Sequence, residues 1–191
     1  AYSGPIVVNA TTQIRARTLN GGIWSAVVNA VYYPPQDLSR LSLTELMFNP
    51  PGTALLDGDE FEFVELKNTG TNQLNLSGLT FSDGINFTFT NGTLLDPGAF
   101  FVLARNPVAF AQRYPGISIQ GVFSGRLDNG GERISLSHPL GSGIFSVTYD
   151  DGVPWPVTAD NFGFSMVQRN PITQAPHSGA AWRAGTHPGG S

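Results

Sequence analysis

The 191-residue sequence predicts an all-β protein, built as a sandwich or a barrel. Three observations carry this prediction. The chain holds 23 Gly and 14 Pro, residues that interrupt regular structure and favour turns. Strand-length apolar segments recur between them at intervals of about 8–12 residues, the spacing typical of sandwiches and barrels. Aromatic residues reach 11% of the chain, which argues against disorder and supplies side chains for a core.

The first part of the chain predicts a β-hairpin. Alternating segments run over 14–18 and 24–33, and the turn signal Asn20-Gly21-Gly22 lies between them. Asn and Gly accept the left-handed backbone of a tight turn more readily than other residues. Pro34-Pro35 then ends the pattern, because proline lacks the amide that a central strand donates. We therefore place a domain boundary after it, with one unit over 1–37 and the other over 38–191.

Strand-length segments fill the second unit. Segments 41–48 and 61–66 alternate between the two faces of a strand, and 99–104 is continuously apolar, as in a buried strand. Further strands are predicted over 117–123, 132–137, 144–149 and 162–168. One short helix is predicted near 107–114, since Pro107 suits the first turn of a helix.

Charge and composition exclude several function classes. Ten Lys and Arg against 14 Asp and Glu give a net charge of −4, so the sequence lacks the basic surface typical of nucleic-acid binding. The absence of Cys removes disulfides, thiol catalysis and Cys-based zinc sites. No apolar run approaches the ~18 residues of a membrane span. We expect no nucleic-acid partner and no membrane-spanning segment.

Glu45 and Glu65 are the candidate carboxylates for chemistry. Each stands within an apolar strand segment, where an unpaired charge is costly. Two carboxylates about 5–10 Å apart across a cleft perform glycoside hydrolysis, so the pair defines a hydrolase hypothesis. The alternative role is structural, in which each carboxylate accepts hydrogen bonds from loop amides or from an arginine such as Arg133.

Trp155, which lies between two prolines, is the candidate ligand-binding residue, together with Tyr149. An exposed aromatic ring held by prolines forms a flat platform for stacking sugars or peptides. A buried tryptophan is the commoner outcome in sandwiches. Trp24 and Trp182 are assigned to packing. An exposed Trp155 would favour a carbohydrate-binding module.

Two acidic loops, 57–60 and 150–151, are the candidate metal sites. Loop carboxylates are the hard oxygen ligands that Ca²⁺ prefers, and Asp57, Asp59 and Asp151 are the candidate ligands. The first loop lacks the twelve-residue spacing of an EF-hand, which favours a solvated turn over a metal site. We expect no cofactor, with calcium as the alternative.

Seven segments after residue 40 are specific when taken together and in order. They are LSLTELMFNP (41–50), DEFEFVELKNTG (59–70), LNLSGLTFSDG (74–84), LLDPGAFFVLARN (94–106), GRLDNGGERISLSHPLGSGIFSVTYDDGVPWP (125–156), FSMVQRNP (164–171) and AWRAGTHPGGS (181–191). Together they resemble the lamin tail domain, an immunoglobulin-like antiparallel β-sandwich. The resemblance implies that Glu45 and Glu65 are structural, since such domains carry them without known catalysis.

The segment YSGPIVVNATTQIRARTLNGGIWSAVVNAVYY (2–33) has a different resemblance. It is similar to the C-terminal half of the fibronectin-III-like module that ends chitobiases and hexosaminidases. The first half of that module, with its Tyr-Thr-Asp-Gly stretch, does not occur in this sequence. Because half a sandwich leaves strand edges unpaired, we expect the chain to be a piece of a longer polypeptide.

The two resemblances together imply a non-catalytic structural or interaction module of a larger bacterial multidomain protein. Bacterial lamin-tail-like domains often accompany secreted hydrolases, so we expect an extracellular or cell-envelope location. The expected partners are neighbouring domains of the same polypeptide and a protein or polysaccharide surface. A carbohydrate-binding module using Trp155 and a carboxylate-based hydrolase fragment are the alternatives.

Overall fold

The computed structural model describes residues 2–172 and 177–190. The chain divides into two compact units, Ala1–Asp37 and Leu38–Ser191. Both units are built mainly from antiparallel strands. Within the described residues, no helix has the length and apolar character needed to cross a membrane.

The first unit is a β-hairpin ribbon of β1 (Thr12–Ala16), β2 (Leu19–Asn20), β3 (Ile23–Trp24) and β4 (Val28–Tyr32). β1 pairs with β4, and β2 pairs with β3, so the hairpin predicted around Asn20 is confirmed. Gly21 and Gly22 have φ angles of +56° and +83°, a backbone conformation that residues with a Cβ rarely adopt.

Trp24 lies on the surface of this ribbon. It is 51% exposed, and the guanidinium carbon of Arg17 lies 4.2 Å from the centre of its ring, a cation–π contact. The prediction that Trp24 packs into a core is therefore wrong. The described part of the first unit forms only two-stranded pairs, which leave the ring without a second layer to cover it.

The second unit contains two large sheets. Its strands are β5 (Leu41–Met47), β6 (Phe63–Asn68), β7 (Leu74–Asn75), β8 (Thr80–Asp83), β9 (Ile85–Thr88), β10 (Leu94–Leu95), β11 (Phe100–Ala104), β12 (Gly121–Val122), β13 (Ser124–Gly125), β14 (Arg133–Ser137), β15 (Gly143–Thr148), β16 (Met166–Gln168) and β17 (Trp182–Ala184). One sheet has the order β12-β11-β6-β5-β16-β17, and the other has the order β13-β9-β8-β14-β15. β7 and β10 form a separate pair.

The two large sheets enclose one hydrophobic core. Leu43, Val64 and Leu66 point into it from the six-stranded sheet, and Phe81 and Leu136 point into it from the five-stranded sheet. Burying each such side chain stabilises the folded state by roughly 1.5–3 kcal/mol. Because these apolar residues alternate along each strand, they also fix which face of the strand turns inward. The predicted all-β fold, an immunoglobulin-like sandwich, is confirmed.

A short helix covers part of the outer face of the six-stranded sheet. It is α1 (Pro107–Arg113), as predicted, and the Asn106 side chain caps it by accepting hydrogen bonds from the amides of Val108 and Ala109 at 2.9 and 3.2 Å. Phe110 packs against Phe63 with ring centres 5.7 Å apart. A second, smaller core forms under the helix. The other helical segments are 3₁₀ turns at Gly58–Phe61, Val157–Ala159 and Gly179–Ala181.

Two predicted strands are shorter than expected. In the segment 117–123 only Gly121–Val122 pairs as a strand, because the side chain of Gln120 takes over part of the ladder by accepting a hydrogen bond from the Val102 amide at 2.6 Å. In the segment 162–168 the strand begins at Met166, since Gly163 has a φ of +83° and turns the chain before it.

Candidate functional site

The two candidate carboxylates meet on the outer face of the six-stranded sheet. Antiparallel pairing of β5 with β6 places Glu45 directly opposite Glu65, after an irregularity in register between Leu43 and Glu45. Opposed residues of such a pair have Cβ atoms about 4.5–5.5 Å apart. The neighbours Leu46 and Leu66 point into the sandwich core, so the two carboxylates point away from it.

Hydroxyl groups hold these carboxylates. Ser165 Oγ donates a hydrogen bond to Glu45 Oε1 at 2.5 Å, and Thr44 Oγ1 donates one to Glu65 Oε1 at 2.5 Å. Arg133, which the sequence suggested as a partner, pairs instead with Asp83 on the five-stranded sheet. The predicted structural role therefore has a basis in the contacts, although the donors are hydroxyls of β5 and of the segment before β16.

A cavity of about 220 Å³ lies over the carboxylate pair. We call it the Glu65 cavity; its lining residues are Glu45, Phe63, Glu65, Val102, Phe110, Tyr114, Ile117, Gly189 and Gly190. The last two residues close one side, and the Gly189 amide donates to the Gly163 carbonyl at 2.7 Å, which anchors them. The cavity therefore joins β5, β6, β11, α1 and the segment after β17.

Gly190 comes close to the first carboxylate. A Cβ added at Gly190 would lie 3.0 Å from Glu45 Oε1, and its φ of +125° is one that L-residues with side chains rarely adopt. Glu45 is only 2% exposed as a result of this cover. Glu65 is partly exposed and is the more accessible carboxylate of the pair.

Burial raises the pKa of Glu65 to about 7. The hydrogen bond from Thr44 lowers the pKa, the neighbouring charge of Glu45 raises it, and Lys67 lowers it. At neutral pH the Glu65 carboxyl group therefore exchanges between protonated and ionised forms. It can accept a hydrogen bond, donate one, or bind a cation.

This geometry does not resemble the acid pair of a glycosidase. Such a pair needs both carboxylates to reach a sugar from opposite sides of the bond that breaks. Glu45 is covered, and the two residues stand side by side on one sheet face. The cavity is also smaller than the roughly 300–1,000 Å³ typical of small-molecule sites.

The predicted calcium ligands do not come together. Asp57 and Asp59 line a separate polar cleft of about 530 Å³, whose lining residues do not include Asp151. Asp57 Oδ1 accepts a hydrogen bond from the Asp59 amide at 3.2 Å, and Asp59 pairs with Arg105 at 3.0 Å. Across residues 2–172 and 177–190, no three acidic or histidine side chains are arranged to hold a metal ion.

The predicted aromatic platform is absent because both of its residues are buried. Trp155 is 8% exposed and packs against Trp182, with ring centres 6.0 Å apart. Tyr149 is 1% exposed, and its hydroxyl donates to the Asp128 carbonyl at 2.7 Å. The stacking hypothesis for Trp155 therefore lacks the exposed ring that it requires, and the alternative, a buried tryptophan, is what the structure shows. The sheet brings Trp182 of β17 over a ring that the flanking prolines alone would have left uncovered.

Sequence reasoning missed a third buried carboxyl group, that of Glu62. It is fully buried, and its Oε2 accepts a hydrogen bond from the Leu127 amide at 3.0 Å, while Oε1 has no hydrogen-bond partner among the described residues. Burial raises the pKa of Glu62 to about 8. The sequence does contain a signal for the burial of Glu62, since alternation over 61–66 puts it on the same side of the strand as the buried Val64.

The sheets and their shared core define an immunoglobulin-like β-sandwich domain. The family model of the lamin tail domain matches residues 34–151, more than half of the chain. The chain therefore belongs to the lamin tail domain family, whose members are generally non-catalytic. No curated protein matches the chain. The fibronectin-III-like character of the first unit stays a prediction.

Proposed function

We propose that this chain is a non-catalytic interaction module of a larger, exported bacterial multidomain protein, in which it anchors or spaces neighbouring domains. Membership of the lamin tail domain family is the observation that carries the proposal. In this role the immunoglobulin-like domain presents a rigid surface to a partner. Function then depends on the surface that the sandwich holds in place.

The division of the chain supports a connecting role. Residues 1–37 form a compact unit of their own, so the chain carries one folded part in addition to the sandwich unit. Most of the first unit's apolar side chains are exposed, among them Ile23, Val28 and Tyr32. Such a surface is typical of a segment that contacts further protein.

The carboxylates also favour a module without chemistry of its own. Glu45 is covered by Gly190 and bound by Ser165, and Glu62 is enclosed within the sandwich unit. The carbohydrate-binding alternative no longer has its platform, because Trp155 is buried. We therefore put forward one function, interaction with protein.

Size and location of the native protein test this proposal. Antibodies raised against the sandwich unit would be used to probe culture medium, cell envelope and cytosol, with a cytosolic enzyme as the fractionation control. We expect a species well above the 20.4 kDa of this chain, in the medium or the envelope. A single cytosolic species of about that mass would contradict the proposal.

The non-catalytic part has a separate test. The purified chain would be assayed on chitin oligosaccharides, other glycosides and esters, beside the Glu65→Gln variant. We expect no turnover by either protein. Turnover that disappears in the variant would show that the carboxylate pair is catalytic.

A further inference from the structure

We propose that the Glu65 cavity binds a primary ammonium group on an alkyl stem, presented as a lysine side chain by a neighbouring domain or partner protein. The inference rests on the proposed function, which supplies the protein that carries the lysine. It adds the chemistry by which that protein is recognised.

The size of the cavity limits the ligand. About 220 Å³ lies below the range of pockets that hold drug-sized molecules. It suits one side chain, and a sugar chain or a whole cofactor would not fit. A ligand of this size gains its affinity from chemical match with the walls, so the walls decide its class.

The walls match an alkyl ammonium group. Phe63, Phe110 and Tyr114 pack around one another, with ring centres 4.6–5.7 Å apart, and all three line the cavity. Aromatic rings attract cations within about 6 Å of the ring centre, and ammonium groups are recognised by sets of such rings. Val102 and Ile117 add apolar surface for the methylene stem.

The floor of the cavity supplies the acceptor. Thr44 occupies Oε1 of Glu65, and no described residue donates a hydrogen bond to Oε2. An ammonium group has three N–H donors and no acceptor, so it complements this oxygen. Its positive charge also offsets the repulsion between two carboxylates at opposed positions of paired strands.

The charged groups around Glu65 leave this role open. Glu45 faces it from β5, and Lys67 lies two residues further along β6, with its Nζ 4.3 Å from the centre of the Phe100 ring. Tyr114 faces it from the residue that follows α1, and the Arg113 side chain is hydrogen-bonded to the Tyr114 side chain. No Lys or Arg is among the lining residues. Glu45 and Glu65 are the acidic side chains of this lining.

Binding of the cation should depend on pH in one direction. The ammonium group prefers ionised Glu65, and burial raises the pKa of that carboxyl group to about 7. Affinity therefore rises as pH increases through about 7, and it falls again only near the lysine pKa of about 10.4.

The test uses Nα-acetyl-lysine methylamide as the probe and follows backbone amide shifts of the full chain by NMR. Its norleucine counterpart has the same stem without the ammonium group, and cadaverine represents a free diamine. Glu65→Gln keeps the shape of the side chain and removes its charge. Asp151→Asn makes the same charge change on a loop outside the cavity. Circular dichroism of each variant checks that it is folded.

We expect the lysine probe to shift amides of the lining residues and to bind about tenfold or more tightly than the norleucine probe. Glu65→Gln should lose about tenfold and also lose the rise with pH, while Asp151→Asn should bind as the parent chain does. Cadaverine binding as tightly as the lysine probe would indicate a free diamine as the source of the ammonium group. That result would overturn the assignment to lysine.

Equal binding of the lysine and norleucine probes, or no shift with 20-fold excess probe at millimolar protein concentration, would overturn the inference. This failure is distinguishable from failure of the proposed function. A large exported species whose Glu65 cavity does not bind the lysine probe would support the proposed function and contradict the lysine site. A small cytosolic species that binds the lysine probe would do the reverse.

Discussion

Glu62 gives the sharpest quantitative prediction. It is fully buried, and it holds a single hydrogen bond, from the Leu127 amide, in the part of the chain that the structure describes. Glu62→Gln keeps the shape of the side chain and an oxygen that can accept this bond. It removes the charge that burial disfavours.

The size of the effect follows from the pKa. Burial is the largest cause that raises the pKa of Glu62 from 4.5 to about 8; the Leu127 hydrogen bond and Arg105 lower it, and Asp59 and Glu132 raise it. At about 1.36 kcal/mol per pKa unit, the difference corresponds to a free energy on the order of 5 kcal/mol.

The sign is fixed by linkage. A carboxyl group with a raised pKa in the folded state stabilises the fold fully below pH 4.5, and this contribution is lost as pH rises through about 8. Glu62→Gln should therefore match the parent chain near pH 4.5. It should become more stable than the parent chain from pH 5 to pH 9, with the largest difference above pH 8.

Urea unfolding at pH 5, 7 and 9 measures this difference. Fluorescence of the packed Trp155–Trp182 pair reports on the sandwich, and both proteins would carry Trp24→Phe to remove the exposed ring of the first unit. Asp151→Asn is the control for a lost charge. A Glu62→Gln variant that is less stable than the parent by the same amount at every pH would refute the reasoning. It would show that the ionised carboxylate is needed.

Three further predictions concern packing and ligands. Trp155→Ala should destabilise the sandwich by about 3–5 kcal/mol in urea unfolding, while Trp24→Ala should change its stability little. In a pull-down, the Trp155→Ala variant should bind chitin and cellulose no differently from the parent chain. Gly190→Ala should cost about 1–3 kcal/mol, since it adds a side chain at a positive φ and beside Glu45, whereas Gly143→Ala, with open space around it, should cost less; a Tm equal to that of the parent would contradict the strain. Millimolar Ca²⁺ should leave the Tm unchanged by differential scanning calorimetry, because Asp57, Asp59 and Asp151 do not converge, and a rise would reveal a calcium site.

Local patterns were enough to predict most of the strands and the helix. Alternation in 61–66 and the apolar run in 99–104 depend only on which face of a strand is buried, and α1 depends on Pro107 and its cap. The shortened strand at 121–122 was not predictable in this way. The side chain of Gln120, the residue just before this strand, accepts the hydrogen bond of the Val102 amide in β11. The apolar and polar pattern of the segment itself does not encode that contact with β11.

The candidate site shows the same limit. Single-strand patterns identified Glu45 and Glu65, but their meeting depends on the register of β5 against β6, including an irregularity near Thr44. The two hypotheses for Trp155 could not be separated from its flanking prolines, because the ring that packs on it is Trp182 of β17, 27 positions later in the chain. Contacts between distant segments decided both outcomes, and they are set by the whole fold.

The arrangement of the six-stranded sheet has a consequence for where the domain can be cut. The match to the lamin tail domain ends at residue 151, yet β5 has β6 on one side and β16, at 166–168, on the other. All seven residues of β5 are buried. A protein shortened to the matched segment would expose the edge of its most buried strand, with free amides that invite pairing between molecules. We therefore expect the cooperative folding unit to reach beyond the segment that the family model matches, and a shortened protein to need β16 and β17 to stay soluble.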